Sequence, residues 1–305
     1  MKISIVLRVK NEGRTLNEVL ERVKSQDCHQ EMELVLVDSG STDNTLDISK
    51  KHGCRIFHIP PEDFSWGYAL NYGAEKSTGD VIIYLSGHCI PVDDHWLSSL
   101  LAPLEDETTG GVYSRHVPRP EVDPFEAIEL EYFWFPPSKT GTRISESFSN
   151  ASCAVRKKTW ENVRFDESLL SCEDGEWAWR AGNNGWKIVY QPESRVWHSH
   201  PPRIQNIYLR WFWRCYTAKK FMSFTREGSL AYLFFNLFRY SLLDLGYLGK
   251  VGMPSKFWKI PFYEIVRHSG GFLGARAAVK HMEFEKWGEV KVPKWMKPLR
   301  KIIEN

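Results

Sequence analysis

Val81-Ile82-Ile83-Tyr84-Leu85 runs directly into Ser86-Gly87-His88-Cys89-Ile90-Pro91, and the reading of this stretch decides the fold. Five apolar residues without alternation suit a central strand covered on both faces. Gly79-Asp80 punctuates its start, and Gly87 and Pro91 break its far end. In open α/β sheets, ligands lie beyond the carboxyl ends of the strands. The turn that carries His88 is therefore where chemistry is expected.

Upstream, Ile3 to Val9 is β-branched and apolar, a first strand. Lys10 to Gly13 turns it into a helix from about Thr15 to Ser25, with Leu16, Val19, Leu20 and Val23 on its buried face. Glu33 to Val37 is a second strand ending in Asp38-Ser39-Gly40-Ser41-Thr42-Asp43, whose Thr42 or Asp43 can cap a helix running to about His52. Cys54 to Ile59 is a third strand, and a helix over Tyr68 to Lys76 leads to the central one. Strands alternating with short helices predict an α/β fold, a mostly parallel sheet with helices on both faces.

Downstream, the pattern predicts a helix over Asp94 to Leu104, a strand over Gly111 to His116 and a helical piece over Phe125 to Phe133. A loop from Pro136 to Gly141 follows, then a strand over Ser152 to Val155, a helix over Glu173 to Asn183, and strands over Lys187 to Tyr190 and Ser194 to His198. The composition shifts at Pro201-Pro202. Beyond it, helical patterns cover Ile204 to Phe224, Leu230 to Leu248 and Gly271 to Trp287. Residues 1–203 thus read as an α/β domain and 204–305 as a helical C-terminal extension.

The 305 residues suffice for a substantial core and one or two domains. With 42% hydrophobic and 26% charged residues the chain reads as folded. A net charge of +2 leaves no electrostatic footprint for nucleic acid. Six cysteines without a CxxC pair argue against a zinc knuckle or a disulfide framework. The N-terminus becomes charged too early for a signal peptide, which predicts the reducing cytosol. No transmembrane helix is expected, because no uncharged span of about 20 apolar residues occurs. The 13 Trp exceed what packing usually needs; they suit carbohydrate stacking or a membrane interface as readily as a core.

Several groups of residues can carry chemistry. Asp38, at the end of a buried strand, can accept hydrogen bonds from a nucleobase edge or a ribose hydroxyl, and Gly40 permits close approach; the turn serves equally as a helix cap. Arg8, Asn11 and Glu12 end the first strand beside it. There Arg8 can pair with phosphate and Glu12 can position a base or ribose, or the three form a solvated loop. His88 can ligate a divalent metal or hydrogen-bond a phosphate, although a lone histidine is more often structural. Glu173-Asp174 opens a helix whose dipole favours the charged carboxylate, either as a general base on a hydroxyl or as a plain cap. Trp177 and Arg180 follow as candidate acceptor contacts, or as core. His198 and His200 share one face of a strand end, and with His88 they make a candidate metal site.

In combination these pieces resemble family 2 glycosyltransferases, the inverting GT-A enzymes, and within them the rhamnosyltransferase-like branch of bacterial surface-polysaccharide synthesis. The matching segments are Ser4 to Glu12, Val37 to Asp43, Ala69-Leu70-Asn71-Tyr72-Gly73-Ala74, Gly79-Asp80 with the central strand, Phe148-Ser149-Asn150-Ala151, Glu173-Asp174 and His198-Ser199-His200. They cover about residues 1–203. The resemblance implies a GT-A (Rossmann-like) fold with a nucleotide half to about residue 91 and an acceptor half over about 92–203. It implies transfer, with inversion, of a hexosyl or deoxyhexosyl group from a UDP-, GDP- or dTDP-linked sugar to a hydroxyl of a glycan or lipid-linked acceptor. Asp38 would contact the nucleobase; Arg8, Asn11, Glu12 and Ser39 would flank the nucleotide, and Asn71 would lie near the donor. Asp174 would deprotonate the acceptor, supported by Glu173, while Mn²⁺ or Mg²⁺ bridges the diphosphate.

The family's Asp-x-Asp after the central strand is absent: Ser86-Gly87-His88 stands there, with His88 in the place of the second Asp. Imidazole suits a transition metal better than Mg²⁺, whereas His88 bound directly to phosphate would dispense with metal. The lost pair also supports an alternative, a non-catalytic nucleotide- or glycan-binding protein, against which Glu173-Asp174 stands. A metal hydrolase is disfavoured because no HExxH-like spacing occurs.

The extension interleaves basic and aromatic residues from Arg210 through Phe221. Leu230 to Leu248 is apolar but interrupted by Asn236, Arg239 and Asp244, too charged to span a bilayer. It is expected to lie on a membrane surface with its basic residues toward anionic lipid, to pack as a helical subdomain, or to make a homodimer contact. The expected localisation is cytoplasmic, peripheral on the inner face of the cell membrane.

Overall fold

The computed structural model describes residues 1–137, 141–142, 148–200, 203–222, 228–285 and 289–303. Its first elements are β1 (Ile3–Val9), α1 (Leu16–Lys24), β2 (Met32–Asp38), α2 (Thr45–Lys51), β3 (Arg55–His58), α3 (Trp66–Lys76) and β4 (Val81–Ser86). Every residue of β4 is buried, as an unbroken apolar strand requires. There follow β5 (Ile90–Pro91), α4 (Trp96–Leu101), β6 (Thr109–Val117), α5 (Pro124–Ile128), β7 (Gly141–Thr142), β8 (Ser152–Arg156), α6 (Lys157–Asn162), α7 (Glu173–Asn183) and β9 (Lys187–Trp197). The chain ends in α8 (Ile204–Thr217), α9 (Leu230–Lys250), α10 (Ile260–Val279) and α11 (Arg300–Ile303).

The chain divides into two compact units. The first comprises residues 1–119, 130–169 and 173–198 and holds one sheet in the order β3-β2-β1-β4-β8-β6-β9-β5, with β7 also on β9. β3, β2, β1 and β4 run parallel. β8 then lies antiparallel between β4 and β6, and β9 is parallel to β6. The strand order reverses between β1 and β4, which makes their carboxyl ends the crevice expected to take a ligand. The register sets Arg8 beside Ser86 and Val9 beside Asp38. Alternation along β1 sends Ile5 and Leu7 to one face, with α1 and Trp96, and Val6 to the other, with α3 and Trp177.

The second unit comprises 120–129, 170–172 and 199–305. α8 and α10 pack closely there: a Cβ on Gly270 or Gly274 would collide with the α8 carbonyls of Tyr208 or Phe212. This accounts for one misplaced boundary. The sequence predicts a helix over Gly271 to Trp287, yet α10 already begins at Ile260 and ends at Val279. Gly270 and Gly274 lie inside α10 as the contact points that let the two helices approach.

Two further boundaries differ. The strands predicted over Lys187 to Tyr190 and Ser194 to His198 are one strand. A register shift between Ser114 and Arg115 jumps from Gln191 to Arg195, and this bulge accommodates Pro192, which has no N–H for the ladder. The helical piece predicted over Phe125 to Phe133 is α5 followed by a π-helical stretch, Glu129–Trp134. Parts of the predicted loop over 136–141, and Pro201, Pro202, Phe224 and Trp287, lie outside the described residues.

The basic and aromatic run from Arg210 is not a surface. Trp211, Phe212, Trp213 and Tyr216 are buried. Arg210 pairs with Glu126 at 2.9 Å and Glu129 at 3.1 Å. The periodicity of α8 wraps aromatics around most of the helix, so it forms the core of its unit.

Candidate active site

At the crevice, β1 ends in a turn in which Asn11 takes a left-handed conformation (φ 58°). Its Oδ1 accepts from the Thr42 backbone N–H at 2.7 Å, and its own N–H donates to Ser41 Oγ. Asn11 thus ties the ends of β1 and β2 together. Asp38 is buried and accepts from the N–H groups of Gly40 and Ser41, with the exposed His58 ring 3.3 Å away. Gly40 sits at φ 91°, a conformation that glycine adopts without strain. Ser39 is buried, its hydroxyl on the Val9 carbonyl.

Across the crevice, His88 Nδ1 lies 2.8 Å from Glu12 Oε1, and Arg119 donates to the His88 carbonyl at 3.1 Å. His88 Nε2 faces His198 Nε2 at 3.3 Å, and His198 Nδ1 is 3.0 Å from His116 Nδ1. The ends of four strands, β1, β4, β6 and β9, thereby deliver a Glu12–His88–His198–His116 chain. Two proton arrangements satisfy it. If both Nδ1 atoms donate outward, to Glu12 and to His116, two Nε2 lone pairs face each other. Their 3.3 Å separation matches two imidazoles on one ion, each about 2.0–2.1 Å from it, and Glu12 then orients His88 as an outer carboxylate does around metal ligands. If instead His116 donates to His198 and His198 to His88, the chain closes with no ion. The donor set therefore fits a transition metal without requiring one. His200, two residues beyond His198, belongs to the second unit.

Arg8 connects the crevice to the carboxylates of α7. Its Nη2 donates to Asn150 Oδ1 at 2.5 Å, and Asn150 Nδ2 donates to Glu173 Oε1 at 2.7 Å. The Asn150 backbone N–H reaches toward Asp174 Oδ2 at 3.4 Å, and the Gly175 N–H donates to Asp174 Oδ1 at 2.8 Å. Arg8 Nη1 is shielded from solvent and has no acceptor among the described residues. Its guanidinium stands 5.5 Å from the Trp66 ring, which is 45% exposed. Asp174 is pushed up to about 7, chiefly by burial and then by the charge of Glu173, against the opposing N–H groups of Gly175 and Asn150 and the charge of Arg8.

The structure gives other jobs to three residues that the sequence marks as site candidates. Asn71 is 2% exposed and fully engaged: Nδ2 donates to the Phe165 carbonyl and Glu167, and Oδ1 accepts from Trp160 Nε1 and the Phe165 N–H. It pins a loop to α3 and has nothing left for a donor sugar. Trp177 is 0% exposed, its indole N–H on the Val163 carbonyl and its ring among Phe148 and Phe165; it is core and offers no face to a sugar. Arg180 is held by Glu176 and the Arg164 carbonyl. Conversely, Asn150, Trp66 and His116 received no role from the sequence. Asn150 lies in a matching segment; the other two carried no local signal, because folding alone brings them to the crevice.

A family model described as glycosyl transferase family 2 matches residues 4–164. The chain belongs to glycosyl transferase family 2. It is 27% identical to the O-antigen chain rhamnosyltransferase RfbN of Salmonella typhimurium over 70% of this chain and 71% of that protein. It is 28% identical to the O-antigen chain rhamnosyltransferase WbaN of Salmonella anatum over 60% and 62%. Among solved structures, S. aureus TarS 1-349 in complex with UDP-GlcNAc aligns with a TM-score of 0.56 at 16% identity, over 92% of this chain and 91% of that one. The mannosyltransferase PcManGT of Pyrobaculum calidifontis, in complex with GDP-Man and Mn²⁺, aligns with a TM-score of 0.53 at 18% identity, over 92% and 74%. These structures share the GT-A fold. Membership in family 2 makes the chain a nucleotide-sugar-dependent glycosyltransferase, and the non-catalytic alternative gains no support.

Proposed function

We propose that this family 2 enzyme moves a hexosyl or deoxyhexosyl group, with inversion, onto a hydroxyl of a growing or lipid-linked glycan. The observation that carries the reading is the Arg8–Asn150–Glu173 bridge ending beside Asp174. It sets a free guanidinium N–H group and a carboxylate poised near neutrality at one crevice. The nucleotide half, about 1–91, binds the donor: Asp38 reads the base or ribose, and Arg8 Nη1 takes a phosphate oxygen. Asp174 is the general base. Burial raises its proton affinity close to working pH, where a base is both ionised and strong enough to accept a proton. Glu173 sustains that affinity, and Asn150 holds Glu173 in place. The acceptor half, about 92–203, presents the hydroxyl opposite the leaving group. Rhamnose as the donor sugar is favoured by the two O-antigen relatives.

His88 and His198 would hold a divalent transition metal, which would neutralise the departing diphosphate. All six cysteines are free thiols, which suits the reducing cytosol.

The test is calorimetric titration with UDP, GDP and dTDP, with Mn²⁺ or with EDTA, alongside transfer assays on the wild type, Asp174→Asn and His88→Ala. Loss of transfer with retained nucleotide affinity in Asp174→Asn is expected; full activity in that variant would remove Asp174 as the base. Binding of one nucleotide that weakens in EDTA and in His88→Ala would support the metal arrangement. Binding indifferent to EDTA would instead establish the closed proton chain.

A further inference from the structure

α9 is built inside out. Its buried residues include Asn236 and Asp244, and Asp244 lies 3.4 Å from Arg267 Nη1 within the same unit. Its exposed residues include Phe234 at 65%, Phe235 at 56%, Phe238 at 68% and Leu242 at 52%. A surface helix in water turns its apolar stripe inward. Here polar groups hold the helix to its unit and the aromatic stripe faces out, an arrangement suited to an apolar covering. The exposure continues past the helix in Met253, Phe257 and Trp258.

Charge indicates what covers it. Between Leu230 and Phe262 the bases are Arg239, Lys250, Lys256 and Lys259, and the single acid is Asp244, which is buried. Lys259 is buried and Lys256 pairs with Asp123. The outward charge is therefore that of Arg239 and Lys250, with no exposed carboxylate in this span to balance it. A two-fold contact with a second copy would bring a patch bearing only positive charge against itself. An anionic bilayer offers the complementary sign, and a Trp ring at the margin suits the headgroup level. No helix among the described residues is long and apolar enough to cross a membrane.

We propose that the outward face of α9, extended by Trp258, docks flat on the surface of an anionic lipid bilayer. The inward polar residues fix the helix to the protein, while the phenylalanines enter the boundary between headgroups and acyl chains.

The full chain is sedimented with vesicles of phosphatidylcholine alone and of phosphatidylcholine mixed with phosphatidylglycerol. Wild type is expected to bind the anionic vesicles and to release as salt rises. Phe238→Ser is expected to weaken binding by about tenfold, and Arg239→Gln or Lys250→Gln by roughly fivefold each. All three positions are exposed, so melting temperature and nucleotide affinity should stay at wild-type values; if Phe238→Ser fails to fold, Phe234→Gln takes its place. The proposal is overturned if wild type ignores both vesicles, or if the phenylalanine variants bind as wild type does. It is also overturned if light scattering shows a dimer that Phe238→Ser dissociates, which would assign the face to a second copy. Vesicle binding needs neither donor nor acceptor, so its outcome is separate from that of the transfer assay.

Discussion

Glu173→Gln isolates the electrostatics of Asp174, the proposed general base. Asp174 stands about three pH units above its ordinary 3.8, at about 7, which corresponds to roughly 4 kcal/mol of bias toward the neutral acid. Burial is the larger cause and the charge of Glu173 the next. Two carboxylate charges a few ångström apart repel by about 3 kcal/mol at an effective dielectric near 20. Solvent and the opposing Arg8 reduce this, so one to two pH units is the expected share of Glu173. Gln keeps the volume, and its Oε1 can still accept from Asn150 Nδ2. The base must be ionised to work, so wild-type kcat/KM should rise with pH and reach half its plateau near 7. In Glu173→Gln the half-point should fall by about one to two units, with a lower plateau because the base is weaker. The assay is kcat/KM for sugar transfer between about pH 4 and 9, with unfolding followed across the same range. An unchanged half-point at full folding would refute Coulomb tuning by Glu173. A variant inactive at every pH while still binding nucleotide would give Glu173 a direct role in the chemistry.

Asn71→Ala should remove about 2–4 kcal/mol of stability, because the buried N–H groups of Trp160 and Phe165 lose their acceptor. Donor KM should stay within about twofold, since no Asn71 atom is left for a ligand; a large KM rise at unchanged melting temperature would return Asn71 to the donor site. Arg267→Ala strips a cation buried among Glu129, Glu264 and Asp244, and should cost about 3–5 kcal/mol in urea unfolding of the second unit. A shift below about 1 kcal/mol would show that the three acids are neutralised by other means.

What was legible early follows from local rules. The unbroken apolar run 81–85 fits a strand covered on both faces, and every residue of β4 is buried. Alternation with short amphipathic helices then fixed the parallel β1–β4 half, and strand ends beside one another brought Arg8, Glu12, Asp38 and His88 to one crevice. Glu173-Asp174 at a helix start was legible for the same reason. Side-chain exposure was not. Trp177 and Asn71 carry the right chemistry in the right segments, yet packing turns both into the core, where every polar atom is already paired. The interleaved basic and aromatic pattern of α8 left membrane, packing and dimer roles open and its aromatics are interior, while those of α9 stand outside.

The sequence by itself therefore determined the family and the α/β fold, and it placed Glu173-Asp174 at the start of a helix, because these depend on order and spacing along the chain. Only the tertiary structure decided which histidines meet, that Asn150 joins Arg8 to Glu173, and which face of α9 is wet. Those depend on contacts between residues from 23 to 142 positions apart, and a one-dimensional pattern carries no information about which side chains from different elements share a few ångström of space.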